Sequence, residues 1–269
     1  MSVPASDVFV EPGAIDRDFR GALEEFRENG FARIGKVLSD EGAKLLGERA
    51  DDIMLGRVAY DGMFFQKDNE SGRYEELHFG RGYEGPSLTY RKIEKLEKDP
   101  LYLAFMRNAV FERVARSLID EARIVLYRAI LMTKHAGGGS NLPWHQDAGK
   151  FWGVSRDPDL QIWTALDDAP VTSGCVEFVP GSHRGGLVTP LGGVVPANRF
   201  DVAETDAKAV AVPVARGESV LIHNYVWHRS GRNSTGVPRR GFSICLMPGS
   251  TKCLRKKGAP REFYPIFEE

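Results

Sequence analysis

The chain has 269 residues, 42% of them hydrophobic and 10% aromatic, which is enough apolar material for a substantial core within one domain. Lysine and arginine number 36 against 37 aspartates and glutamates, a net charge of −1, so neither nucleic acid nor an anionic membrane surface has an electrostatic claim on it. No apolar run is long enough to span a bilayer, residues 1–7 lack a signal-peptide pattern, and Cys175, Cys245 and Cys253 show no C-x-x-C spacing, all of which points to a reducing cytoplasm.

Phe19, Leu23 and Phe26 recur at +4 and +3, which predicts a helix face that stops before Gly30, a good C-terminal cap. A short strand over 31–38 follows. Ser39 is the expected N-cap of a second amphipathic helix carrying Leu46, Ala50, Ile53 and Met54. From 60 to 86 the chain turns polar, with Gly62, Gly72, Gly80, Gly82 and Gly85 set among aromatics. A loop that long inside a compact domain is usually functional or mobile. Leu101, Phe105, Val114 and Leu118 predict one helix over 101–118.

Past Arg123 the character changes to strands. Ile124-Val125-Leu126-Tyr127 and Ile130-Leu131-Met132 form a strand of mixed pattern, ended by Gly137-Gly138-Gly139. Further strands are expected at 160–166, 175–179, 210–214, 218–222 and 241–247, each bounded by Gly, Pro, Asp or Asn. The glycine trio has no Lys-Ser/Thr after it and is not a phosphate loop. A mostly helical part over about 15–120 and a core of short strands over about 123–248 predict a sandwich or barrel with its site in the mouth.

Within that core stands Trp144-His145-Gln146-Asp147, followed by His228 and then Arg239. Two imidazoles and one carboxylate are the ligand set of a non-haem iron(II) site with open positions for substrate and oxygen. Residues i and i+2 of a strand point the same way, so His145 and Asp147 can share a cavity while Gln146 points elsewhere or bends back. His228 must then arrive from a distant strand, which a jelly roll supplies. A cation shortly after it suits the anionic tail of an organic co-substrate. His-x-Asp alone is also common in polar turns, and the surrounding ordered set is what gives it weight.

That set comprises Pro143-Trp144-His145-Gln146-Asp147, Trp163-Thr164-Ala165-Leu166-Asp167-Asp168, Gly174-Cys175, Pro180-Gly181-Ser182-His183, Arg216-Gly217-Glu218, and His228-Arg229-Ser230-Gly231 through Arg239. It resembles the phytanoyl-CoA dioxygenase family of iron(II)/2-oxoglutarate-dependent oxygenases, over about 19–247. The resemblance implies a double-stranded β-helix (jelly roll, cupin-like) with N-terminal helices packed on it. It also implies iron(II), 2-oxoglutarate and O2. The implied reaction oxidises, most simply hydroxylates, a C–H bond of a small organic substrate while 2-oxoglutarate is decarboxylated to succinate.

Carried over by position, His145, Asp147 and His228 match the iron ligands, and Arg239 matches the residue that meets the distal carboxylate of 2-oxoglutarate. A planar guanidinium suits that task because it offers two parallel charge-assisted hydrogen bonds. Ser230 resembles the hydroxyl that helps hold the same carboxylate. Gln146, Trp163 and Thr164 fall where the family lines the co-substrate pocket. Lys92 resembles a lysine that reaches in from the helical part, and Ile130 falls where some members carry methionine. Arg240 competes with Arg239 for the anchoring role, and spacing from His228 favours Arg239.

The remaining candidates have plainer readings. His183 belongs to a turn, His223 to a packed strand, and the cysteines to the small buried hydrophobes. Lys252, Arg255, Lys256 and Lys257 make a solvated basic run. Phe151 and Trp152 are core or substrate wall. Substrate choice is expected in loops around the barrel mouth, with Phe65, Arg73, His78 and Arg81 of the 60–86 segment as candidates, whether that segment is a lid or an ordered surface loop. A monomer or homodimer is expected. The alternatives are a non-catalytic binding or sensing protein on the same scaffold, a protein-modifying oxygenase, and a cupin-type enzyme without a keto acid.

Overall fold

A computed structural model describes residues 8–80, 82–158, 160–256 and 261–268. Helix α1 (Arg20–Asn29) ends at Gly30, whose φ of 83° lets its N–H reach Phe26 O. Strand β1 (Phe31–Lys36) leads to α2 (Asp40–Met54), whose cap Ser39 accepts a hydrogen bond from the Gly42 amide. The polar segment that follows is only partly loop, because β2 (Phe64–Lys67) pairs with β3 (Tyr90–Glu94). In place of one helix over 101–118 there are two, α3 (Pro100–Met106) and α4 (Ala109–Leu118). Asn108 makes the break. Its backbone is extended and its side chain accepts from the Phe111 amide, so it ends one helix and caps the next.

The core follows with β4 (Ile124–Lys134), β5 (Leu142–Gln146), β6 (Leu160–Ala165), β7 (Val176–Phe178), β8 (Gly193–Val194), α5 (Val202–Lys208), β9 (Val210–Val212), β10 (Glu218–Ile222), β11 (His228–Ser230), β12 (Arg239–Pro248) and β13 (Tyr264–Phe267). The larger sheet runs β1-β10-β6-β12-β4-β3-β2, with β13 also on β4, and the smaller runs β8-β5-β11-β7-β9. From β4 to β7 the chain alternates between sheets. On the return path β10 lies beside β6, β11 between β5 and β7, and β12 between β4 and β6. This is a double-stranded β-helix, a jelly roll with N-terminal helices packed on its larger sheet.

The mixed pattern of β4 has a cause. Ile124 and Leu126 face the core under the helices, and so do Ala129 and Leu131, so the parity changes between them. Opposite, the consecutive residues Cys245 and Leu246 pair with Arg128 and Leu126, which leaves Tyr127 as the extra residue of a β-bulge. Beyond it Arg128, Ile130, Met132 and Lys134 point into the cavity between the sheets. The outer face of the sheet carries the main core, where Phe242, Ile244 and Leu246 meet α2, α3 and α4 through Leu46, Tyr102, Phe105 and Phe111. Among the described residues no helix is long and apolar enough to cross a membrane.

Candidate metal centre and co-substrate pocket

Strands β5 and β11 lie side by side in the smaller sheet, and His145 and His228 are register partners with ring centroids 3.9 Å apart. Asp147 stands just past β5, where Asn224 fixes the backbone by accepting from its N–H at 2.9 Å and donating to its carbonyl at 2.7 Å. Ligand atoms of these three side chains all lie within 4.8 Å of one another. Each imidazole is turned by its own strand: Nδ1 of His145 lies 2.9 Å from Pro143 O, and Nδ1 of His228 lies 3.0 Å from Val226 O. A carbonyl can only accept, so Nδ1 carries the proton and Nε2 keeps its lone pair for a metal. Burial and the neighbouring His228 push His145 down to about 3, which keeps it a neutral donor. Two nitrogen lone pairs and one carboxylate oxygen fit iron(II).

The Asp147 carboxylate is held from two other strands. Arg128 Nη2 on β4 donates to its Oδ2 at 2.8 Å, and Gln161 Nε2 on β6 donates to the same oxygen at 2.9 Å. Burial opposes its ionisation, but its charged surroundings, led by the Arg128 guanidinium, outweigh that and hold it well below the usual carboxylate range. Arg128 is itself fixed, with its guanidinium 4.4 Å over Trp152, which stacks on Tyr127 at 4.3 Å.

A cavity of about 160 Å³ is lined by the three candidate ligands together with Ile130, Trp163, Ser230, Lys92 and Arg239. Arg239 is 4% exposed. Its Nη2 donates to Gly174 O at 2.7 Å, its Nε has no partner, and among the described residues no carboxylate lies within ion-pair distance. Burial pulls it down to about 10, and it stays cationic at neutral pH. Arg240 faces the other way and is fully engaged, with two bonds of 2.8 Å to the Asp167 carboxylate, one to Asp51, and one to Gly47 O. Of these two arginines, the one available to a ligand is therefore Arg239. Trp163 lies against the β12 backbone at Gly241, where a Cβ would collide with the indole ring.

Several expected positions differ in detail. Lys92 comes from β3 of the larger sheet rather than from the helical part, and it is ion-paired with Glu94. Gln146 and Thr164 do not line the cavity. The Gln146 amide donates to Gly186 O and Tyr225 O and accepts from the Val188 amide, so it fastens β5 to neighbouring loops. The Thr164 hydroxyl bonds to Ser219 at 2.8 Å, between β6 and β10. Phe151 is 67% exposed, and Trp152 is buried behind Arg128 rather than forming a cavity wall. Phe65 packs in the core against Tyr83 and Tyr90, Arg73 is exposed and paired with Glu76, and His78 is exposed. Arg81 lies outside the described residues, as does Lys257.

From the 60–86 segment it is Asp68 and Tyr74 that reach the cavity. Asp68 accepts from the Ser140 amide and hydroxyl, which seats the segment on the loop after β4. Arg128, Gln161 and Lys134 also escape a reading by motif. Their signal is a long polar or charged side chain in a largely apolar strand, which an inward-facing polar site can accommodate.

A profile of the phytanoyl-CoA dioxygenase (PhyH) family matches residues 26–241, a span that includes both histidine strands, Asp147 and Arg239. Phytanoyl-CoA dioxygenase domain-containing protein 1 of Bos taurus is 33% identical over 258 residues, covering 84% of this chain and 88% of its own. The protein of the same name from Danio rerio is 29% identical over 259 residues, with the same coverage. Among solved structures, EvdO2 from Micromonospora carbonacea var. aurantiaca, complexed with 2-oxoglutarate, is 25% identical with a TM-score of 0.61, over 91% of this chain and 93% of that one. The non-haem α-ketoglutarate-dependent carbocyclase SnoK from nogalamycin biosynthesis shares the fold, with a TM-score of 0.69 at 19% identity over 95% and 99%. The chain belongs to the phytanoyl-CoA dioxygenase family of iron(II)/2-oxoglutarate-dependent oxygenases.

Proposed function

We propose that this oxygenase oxidises, most simply hydroxylates, an unactivated C–H bond of a small organic molecule, with 2-oxoglutarate leaving as succinate and carbon dioxide. One observation carries the reading: a three-ligand cluster and a buried guanidinium with no carboxylate partner among the described residues line the same cavity. EvdO2, complexed with 2-oxoglutarate, supports the choice of co-substrate. His145, Asp147 and His228 would hold iron(II). Arg239 and Ser230 would take the distal carboxylate of 2-oxoglutarate, with Ile130 and Trp163 along its apolar middle and Lys92 alongside. Iron and keto acid together supply the power to activate dioxygen and break a C–H bond.

The chain's own share is positioning. Pro143 O and Val226 O keep each ring's Nε2 aimed inward. Arg128 and Gln161 stop the Asp147 carboxylate from turning. Asp147 also occupies the place that a halide would need, which disfavours halogenation. Cys175, Cys245 and Cys253 form no disulfide, in keeping with a reducing compartment, and the cytoplasm is the proposed one.

The test is anaerobic reconstitution with iron(II) and 2-oxoglutarate, followed by a metabolite screen scored by succinate release. Metal-dependent succinate formation stimulated by one compound is the expected result. Metal retention with no 2-oxoglutarate binding would favour a cupin-type enzyme without a keto acid. Binding of both with no succinate from any compound would favour a sensing protein.

A further inference from the structure

Strands β12 and β4 pair with Arg239 directly opposite Lys134. Side chains of such partners stand on the same face, with Cβ atoms about 4.5–5.5 Å apart. Both line the cavity, and they are 4% and 6% exposed. Two basic groups so placed cannot both carry charge without repulsion where little water screens them. Their fixed surroundings do not neutralise them. Arg239 donates to Gly174 O, and Lys134 Nζ donates to Ser140 O at 2.7 Å, both neutral carbonyls. The charged groups facing Lys134 are Arg239 from β12, Arg91 from β3, Arg232 from the segment after β11, and Asp68 from the segment after β2. His135, next in sequence, turns its ring to Ala136 O and the Gly139 amide. The one acid among these groups, Asp68, accepts from the Ser140 amide and hydroxyl and offsets only part of the positive charge around Lys134. Two basic groups held together in a cavity wall, able to carry both charges once an anion joins them, describe half of an anion site.

We propose that Lys134 is the second cation of the co-substrate anchor, so that the distal carboxylate of 2-oxoglutarate is held between its ammonium and the Arg239 guanidinium. This rests on the reading of Arg239 as the anchor. A protonic consequence follows. Burial, Arg239 and Arg91 hold the free Lys134 amine well below its ordinary value. An arriving carboxylate reverses that balance, so Lys134 takes a proton from solvent as the co-substrate binds.

The measurement is calorimetric titration of 2-oxoglutarate into anaerobic, iron(II)-loaded enzyme at a series of pH values from about 7 to 9, in two buffers of different ionisation enthalpy. Loading the metal first removes any contribution from the ligand histidines. Net proton uptake is expected in the native enzyme. Lys134→Met should abolish the uptake and weaken binding about tenfold or more. Lys134→Arg should restore affinity without uptake, because a guanidinium never gives up its proton. A purely structural lysine would change thermal stability and leave the proton count alone. No uptake in the native enzyme, uptake that persists in Lys134→Met, or unchanged affinity in that variant overturns the inference. If Arg239→Met still loses binding in those cases, the co-substrate reading stands. If neither variant alters binding, both fall.

Discussion

Arg128 and Gln161 meet on a single oxygen of Asp147, at 2.8 and 2.9 Å, although they stand on different strands of the larger sheet and Asp147 directly follows a strand of the smaller one. The carboxylate is thus oriented by the packing of two sheets rather than by its own turn. A precise ligand site depends on such supporting bonds as much as on the ligands themselves.

Asp147→Ala or His228→Ala should abolish turnover and sharply weaken iron retention while leaving the fold largely intact. Metal content after desalting and the circular dichroism spectrum check the two halves. His228→Ala is the cleaner variant, because removing Asp147 also strands Arg128 without its carboxylate. Full activity of either variant at stoichiometric iron would exclude the metal assignment.

Arg239→Ala should weaken 2-oxoglutarate binding by about 2–5 kcal/mol, the usual loss when one member of a buried charged pair is truncated. Arg240→Ala should instead lower the melting temperature and spare the affinity, because it cuts the ties between β12, Asp167 and α2. Titration calorimetry and thermal melting of both variants separate the two roles. The reverse pattern would place the anchor one residue off.

Gln146→Leu should cost about 2 kcal/mol of stability or more, since two carbonyls and one amide lose their partner. Its effect on the 2-oxoglutarate dissociation constant should be small. A large loss of affinity with unchanged melting would return Gln146 to the pocket.

Glu97 supplies a pH dependence unconnected to the site. Its Oε2 is buried without a partner, and burial raises the group above its ordinary 4.5. Ionisation therefore favours the unfolded chain, and stability falls as pH rises from about 4.5 through the folded value. Glu97→Gln should be stabilising at neutral pH, with an advantage that shrinks on acidification below that window. Melting curves across pH decide it, and a pH-independent difference would rule out the ionisation mechanism.

Chemistry and local capping were the legible parts of this chain. Ser39 and Gly30 bounded their helices as the sequence led us to expect, and the span of β10 was read without error. His145, Asp147, His228 and Arg239 stood out through the ordered set around them and its resemblance to the phytanoyl-CoA dioxygenase family, and the structure brings all four to one cavity. Strand β11 was not readable as a strand, because three residues carry too little alternation to register. Asn108 hid a helix break because its neighbours kept apolar spacing on both sides. Direction was hardest. Nothing in Gln146 announces that its amide turns to Gly186 and Tyr225, since backbone partners leave no trace in sequence.

The bulge at Tyr127 makes that residue exceptional for chain length. Deleting any residue of β4 other than the bulge pair Tyr127 and Arg128 would invert part of the strand, sending charges such as Lys134 into the packed face or core residues into the cavity. Deleting Tyr127 alone would join Leu126 to Arg128 in unbroken alternation, with every remaining side chain on its present face. The loss would be confined to the ring beneath Trp152 and, through it, the seat of Arg128. A one-residue deletion there would thus change how firmly the metal carboxylate is held while sparing the fold.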